Sequence, residues 1–224
     1  VLSVVLSVFM LGLAIGSWAV GRCVTDWVKR TGYSAIFFYA AAEALIGVGA
    51  VAVPWLFALG QRLLLSAGQT NSFGYLAVSA LVLAGSILPW CVCMGATFPL
   101  MMAFVRERDA TFADSFSHLY LANVLGAMSG TLLTAVVLVE LLGFGHTLSV
   151  AAAGNLGAAL FSAWLGRKQG LPSKPPPAPA APAANPAPAA SSTGAEARRI
   201  KWLLFATGLG SMAMEVVWSR AFTP

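Results

Sequence analysis

Long apolar runs separated by short polar segments are the main pattern of this chain. A helix needs about 20 apolar residues to cross the hydrocarbon core of a bilayer, and runs of about that length or longer occur six times. The pattern therefore predicts an all-α, polytopic bundle of transmembrane helices with about six spans. The predicted spans are residues 1–21, 33–59, 73–105, 116–142, 147–165 and 202–219.

The third run is too long for one straight crossing and contains Pro89 and Pro99. It is either one kinked helix or two shorter crossings, and loop charge decides because cytoplasmic loops are rich in Lys and Arg. With one crossing, eleven Lys and Arg residues fall on one side of the membrane and two on the other. Two crossings would scatter them over both sides, so the single helix is favoured, with the loops at 22–32 and 106–114 in the cytoplasm.

A Pro- and Ala-rich stretch separates the fifth span from the sixth, and its composition is typical of an extended, disordered linker. The chain is thus divided into a first helix bundle at 1–167, a cytoplasmic linker at 168–199 and a last membrane helix at 200–224, which the family resemblance given below implies to be the first helix of a second membrane repeat. Because Val1 is not a start methionine and the first span lacks the features of a signal peptide, we expect the chain to begin inside a longer protein.

Composition agrees with a membrane protein and excludes several other classes. With 58% hydrophobic and 9% charged residues, the chain has too little polar surface for a soluble globule of 224 residues. The net charge of +5 does not indicate nucleic-acid binding, because the basic residues lie between apolar runs. The predicted partners are the lipid bilayer and further membrane helices of the same protein. Neither a disulfide framework nor a metal site is expected from Cys23, Cys91 and Cys93.

Four polar residues lie at membrane depth: Glu43, Asn123, Asn155 and Glu215. A buried acid costs a few kcal/mol even on lenient insertion scales, so such residues face the bundle interior. Glu43 and Glu215 have three open interpretations: a substrate or proton site, a structural hydrogen bond, and an acid that is simply kept neutral.

Two pairs of glycines are spaced four residues apart, Gly12 with Gly16 and Gly126 with Gly130. Such spacing lets helix backbones approach closely. Packing within one bundle is the favoured interpretation, and a dimer interface is the alternative.

The loop "GRCVTDWVKRTGY" carries Asp26, Lys29 and Arg30 between the first two spans. It resembles the loop between the second and third helices of major facilitator transporters. The resemblance implies that these three side chains latch helix ends together on the cytoplasmic face.

Several strings together resemble a larger family. "SVFMLGLAIGSWAVGR", "LPWCVCMGATFPLMMAF", "HLYLANVLGAMSGTLL", "LLGFGHTLSVAAAGNLGAAL" and "GLGSMAMEVVWSRAF" are similar, in this order, to the membrane region of bacterial fused major facilitator/spermidine synthase proteins. In that family the pattern of Glu215, Trp218 and Arg220 marks the first helix of the membrane region, and a related segment opens its second half. The resemblance implies a major-facilitator-like half in the bacterial inner membrane, with one helix missing before Val1.

The family resemblance also implies a polyamine connection. Its members usually carry a soluble domain similar to aminopropyltransferases, which use decarboxylated S-adenosylmethionine as cosubstrate. No Gly-rich strand-to-helix turn or catalytic pair of acids is found in these residues, so no cofactor is expected here. Three functions stay open: a membrane domain that anchors such an enzyme and moves a polyamine, half of a secondary transporter, and a structural membrane subunit.

Overall fold

The computed structural model of the chain describes residues 2–66, 72–108, 112–169 and 194–221. Every regular element in these ranges is helical, which confirms the predicted all-α class. The helices are α1 (Leu2–Thr31), α2 (Ala35–Ser66), α3 (Ser72–Arg106), α4 (Phe112–Leu133), α5 (Val139–Gln169) and α6 (Gly194–Ala221), and a π-helical turn (Thr134–Leu138) joins α4 to α5.

Four helical segments of the described chain are long and apolar enough to cross a membrane, which suggests a membrane protein. They are Val4–Thr31, Ala35–Arg62, Ala77–Arg106 and Ser117–Lys168. The last segment has 52 residues, about twice the length of one crossing. Gly143 divides this segment because its φ of 69° is not helical. The described chain therefore has four to five long apolar helices. The sixth predicted span, in α6, is not one of the four segments.

Some predicted boundaries differ from those of the structure. The third apolar run forms one helix, α3, with both prolines inside it, as the loop charges favour. Helix α6 begins at Gly194, within the stretch assigned to the linker, and residues 170–193 of that linker lie outside the described residues.

Buried apolar side chains form two separate clusters, one at each end of the bundle. The lower cluster takes residues from the last parts of α1, α3 and α5 and from the first parts of α2, α4 and α6. The upper cluster takes residues from the opposite parts of α1, α2, α3, α5 and α6. Successive helices therefore run in alternating directions.

The most extensive helix contact joins α1 to α3, which run parallel. A methyl group at Gly12 would meet Cys91, and one at Gly16 would lie 3.1 Å from the backbone nitrogen of Ala96. Gly95 in turn faces the backbone of α1. The absence of a side chain at these glycines is what allows the two backbones to touch.

A second glycine contact joins α4 to α6 and is nearly as extensive. A methyl group at Gly126 would lie 2.8 Å from the carbonyl carbon of Phe205, and one at Gly130 would lie 2.7 Å from the Cα of Leu209. Gly208 faces the backbone of α4 from the other side. Helices α4 and α6 are thus also parallel, and the chain consists of two triplets of the same design.

The middle helices of the two triplets, α2 and α5, pack against each other in antiparallel fashion. Gly166 near the end of α5 faces Ile36 near the start of α2, and Gly47 further along α2 faces Leu156. Because α2 also packs extensively on α3, it lies at the centre of the described bundle.

Basic residues collect at the lower end of the bundle. Each helix that ends there places a cation over an aromatic ring one turn earlier: Arg22 over Trp18 at 4.8 Å, Arg108 over Phe104 at 4.5 Å and Lys168 over Trp164 at 5.1 Å. Such pairs suit the polar boundary of a bilayer. Further basic residues of the described chain at this end are Lys29, Arg30, Arg106, Arg167, Arg198 and Arg199.

Candidate functional site

A polar layer separates the two apolar clusters. Three buried polar side chains form this layer: Glu43 on α2, Asn155 on α5 and Thr207 on α6. On each helix the neighbours on one side belong to the lower cluster and those on the other side to the upper cluster. Burying polar groups at this depth costs free energy, so the layer is a candidate functional site.

Glu43 is the only charged side chain of the described chain that is fully buried, with 0% of its surface exposed. Neither of its carboxyl oxygens has a hydrogen-bond partner among the described residues. Its carboxyl group interacts with the hydroxyls of Tyr39 and Thr207, but in strict hydrogen-bond geometry those two hydroxyls pair with each other. Glu43 is therefore a buried carboxyl group whose oxygens accept no hydrogen bond in strict geometry.

The hydroxyls beside Glu43 form a directed chain of hydrogen bonds. Thr207 Oγ1 donates to the carbonyl oxygen of Leu203 at 3.0 Å. Because a threonine hydroxyl has one hydrogen, the bond between Tyr39 and Thr207 requires Tyr39 to donate. The Tyr39 oxygen consequently keeps lone pairs free to accept.

Asn155 joins the polar layer through α6. Its Nδ2 donates to the carbonyl oxygen of Ala151 at 3.1 Å, and its Oδ1 would lie 2.8 Å from a methyl group at Gly210. Gly210 follows Thr207 by about one helical turn. One face of α6 thus contacts the polar groups of both middle helices.

The other two predicted polar residues do not belong to this layer. Asn123 is half-buried in the α4–α6 contact, where its Oδ1 would lie 3.1 Å from a methyl group at Gly208. Glu215 lies in α6, and its side chain is outside the described residues. Of the predicted polar residues, Glu43 and Asn155 therefore both lie against α6, Glu43 beside Thr207 and Asn155 beside Gly210.

The lower end carries a second polar arrangement, a cap on α2 supplied by the end of α3. Glu107 accepts hydrogen bonds from Ser34 Oγ at 2.5 Å and from the backbone nitrogen of Ala35 at 2.9 Å. These bonds satisfy the free N–H group at the start of α2 and place a carboxylate at its positive end. Burial raises the pKa of Glu107, against the lowering effect of these two bonds and of Arg108.

The predicted latch residues Asp26, Lys29 and Arg30 are all exposed at the end of α1. Their proposed role in holding helix ends together stays a prediction. The acid that links two helix ends in the structure is Glu107, which follows α3.

Four participants were missed by the sequence analysis: Tyr39, Thr207, Ser34 and Glu107. Tyr39 precedes Glu43 by one turn, so its position on the same helix face was a usable signal. Ser34 stands just before an apolar run, as helix-capping residues often do. Thr207 offers no such signal, because its partner lies 168 residues away in the chain.

No metal site accompanies the polar layer in the part of the chain that the structure describes, where no three His, Cys, Asp or Glu side chains are grouped suitably. Two cavities of about 720 and 300 Å³ lie along the upper part of α2, and Glu43 lines neither of them.

Comparison with protein-family models, curated proteins and solved structures yields no match to this chain.

Proposed function

We propose that this chain is the membrane domain of a secondary-transporter-like protein in which Glu43 binds a proton or a cationic solute. The observation that carries the proposal is a fully buried carboxyl group without hydrogen-bond partners at the centre of an apolar bundle. An intramembrane acid of this kind marks an ion or proton pathway. A merely structural acid would instead have its oxygens satisfied.

The arrangement of the helices supports a transporter-like half. Two triplets with parallel first and third helices, and with opposite overall directions, resemble the inverted repeats of three helices within major facilitator halves. Substrate and coupling-ion sites of such proteins lie near the bilayer midplane between the repeats. The polar layer lies between α2 and α5, the middle helices of the triplets, at a comparable depth.

Polyamines are the solute class that the family resemblance adds to this proposal. A carboxylate suits a cationic amine, so spermidine is the first solute to test. The proposed location is the bacterial inner membrane, with the basic lower end of the bundle in the cytoplasm because cytoplasmic boundaries are enriched in Lys and Arg.

The experiment is uptake of labelled spermidine by vesicles that contain the full chain, with and without an imposed proton gradient. Glu43→Gln should lower uptake about tenfold or more, because a hydrogen bond to a charged group contributes about 1.5–3 kcal/mol. Glu140→Gln is the matched control, since Glu140 is exposed. Equal uptake by the wild type and Glu43→Gln would overturn the proposal.

A further inference from the structure

We infer that the species held at Glu43 is a proton, and that Tyr39 and Thr207 position the protonated carboxyl group between α2 and α6. The inference rests on the proposed function, for which it names the coupling species. Its evidence is the direction of the hydrogen bonds around the carboxyl group and the space around it.

The hydrogen-bond directions leave room for a donor at Glu43. Thr207 donates to Leu203 and Tyr39 donates to Thr207, so both hydroxyl hydrogens are used. An ionised carboxylate would face only lone pairs on these two oxygens. A carboxyl group that holds a proton can donate it to the Tyr39 oxygen and complete the chain from α2 to α6.

Space distinguishes a proton from a larger cation. Glu43 and Tyr39 are both 0% exposed, and Thr207 is 2% exposed. The hydroxyls of Tyr39 and Thr207 are in direct contact, and neither cavity along α2 reaches Glu43. A sodium ion would need several oxygen ligands arranged around it, whereas a proton needs no added volume.

Charged groups on the neighbouring helices lie away from the layer. On α3 the half-buried thiol of Cys93 is the titratable group nearest in depth, and the charged residues follow at the lower end. The charged and titratable residues of α5 lie toward its two ends, with Glu140 and His146 at the upper end, and those of α6 whose side chains are described lie at the lower end. The residues at the lower end are Arg106 at the end of α3, Glu107 and Arg108 just after it, Arg167 and Lys168 on α5, and Arg198 and Arg199 on α6. No Lys or Arg of the described chain therefore neutralises Glu43 directly.

The test is infrared difference spectroscopy of the full chain in vesicles, with Glu43→Gln subtracted to isolate the Glu43 carboxyl band. We expect a protonated C=O band that disappears as pH is raised and does not change when sodium replaces potassium. Tyr39→Phe should shift this band because the acceptor oxygen is lost. The matched control is Tyr33→Phe, since Tyr33 is exposed.

The outcomes separate this inference from the proposed function. A missing protonated band at every pH, or a band that sodium removes, would overturn the proton assignment even if uptake depends on Glu43. An unshifted band in Tyr39→Phe would overturn the positioning role. A band that changes with pH but not with sodium supports the inference. If uptake were then unchanged in Glu43→Gln, this result would count against the proposed function alone.

Discussion

The two helix triplets share one design but differ in their chemistry. In each, the first and third helices are parallel and meet through glycines, and the middle helix packs on the middle helix of the other triplet. In α3, Thr97 donates a hydrogen bond to the carbonyl oxygen of Met94 in its own helix. In α6, Thr207 also receives a bond from Tyr39 of the first triplet.

This difference separates the contacts that hold the bundle together from the polar groups proposed to carry its function. The glycine contacts occur in both triplets and involve mostly backbone atoms, so they determine how closely the helices approach. The acid and the hydroxyl bridge lie between the triplets, where a change in their relative position would alter the polar layer. Substitutions in the two kinds of region should consequently have different effects.

The largest expected effect is on folding, from filling a glycine contact. Gly16→Leu and Gly208→Leu should each lower the free energy of unfolding by about 3 kcal/mol, because the new side chain meets backbone of the neighbouring helix, which cannot move aside cheaply. Thermal unfolding in detergent would measure this. The control substitutions are Gly21→Leu and Gly154→Leu, where nothing lies within 4 Å. Equal losses at all four sites would contradict the role of the contacts.

A smaller loss is expected when the hydroxyl bridge is removed. Thr207→Val leaves the buried Tyr39 hydroxyl without its acceptor, which should lower the free energy of unfolding by about 1–3 kcal/mol. Thr97→Val is the matched control, since it removes a bond within one helix only. Similar results for both variants would mean that the bridge between triplets adds no stability.

The smallest effect is expected at the cap on α2. Because burial raises the pKa of Glu107 above its ordinary value of 4.5, the folded state holds that proton more tightly than the unfolded state. This contribution to stability is fully present below pH 4.5 and is lost as the pH rises through the raised pKa. Unfolding temperatures should show this decline in the wild type and in Glu140→Gln, but not in Glu107→Gln. A decline that persists in Glu107→Gln would assign it to another group.

Much of the architecture could be predicted from the sequence because it depends on local composition. Apolar runs of sufficient length indicate helices, and the charges flanking residues 73–105 favoured the single helix that α3 forms. The predicted span 116–142 covers the continuation of α4 toward Gly143, but the π-helical turn within it could not be predicted, since "TAVVL" has the same apolar character as the helices around it.

The site was only partly predictable. Glu43 stands out because an acid in an apolar run is rare. That its oxygens lack partners, and that Asn123 belongs to a helix contact while Asn155 belongs to the polar layer, depends on which helices meet. Helix contacts arise from pairings distant in sequence, and an apolar run does not specify them.

The central claim is that Glu43 serves function and not stability, and Glu43→Met tests it most directly. The full chain carrying this change would be measured for thermal unfolding and for spermidine uptake in vesicles. Because the carboxyl oxygens accept no hydrogen bond and Tyr39 keeps its bond to Thr207 without Glu43, an apolar side chain of similar size should leave the unfolding temperature unchanged or raise it, while uptake is lost. A lower unfolding temperature, or uptake equal to that of the wild type, would contradict the account.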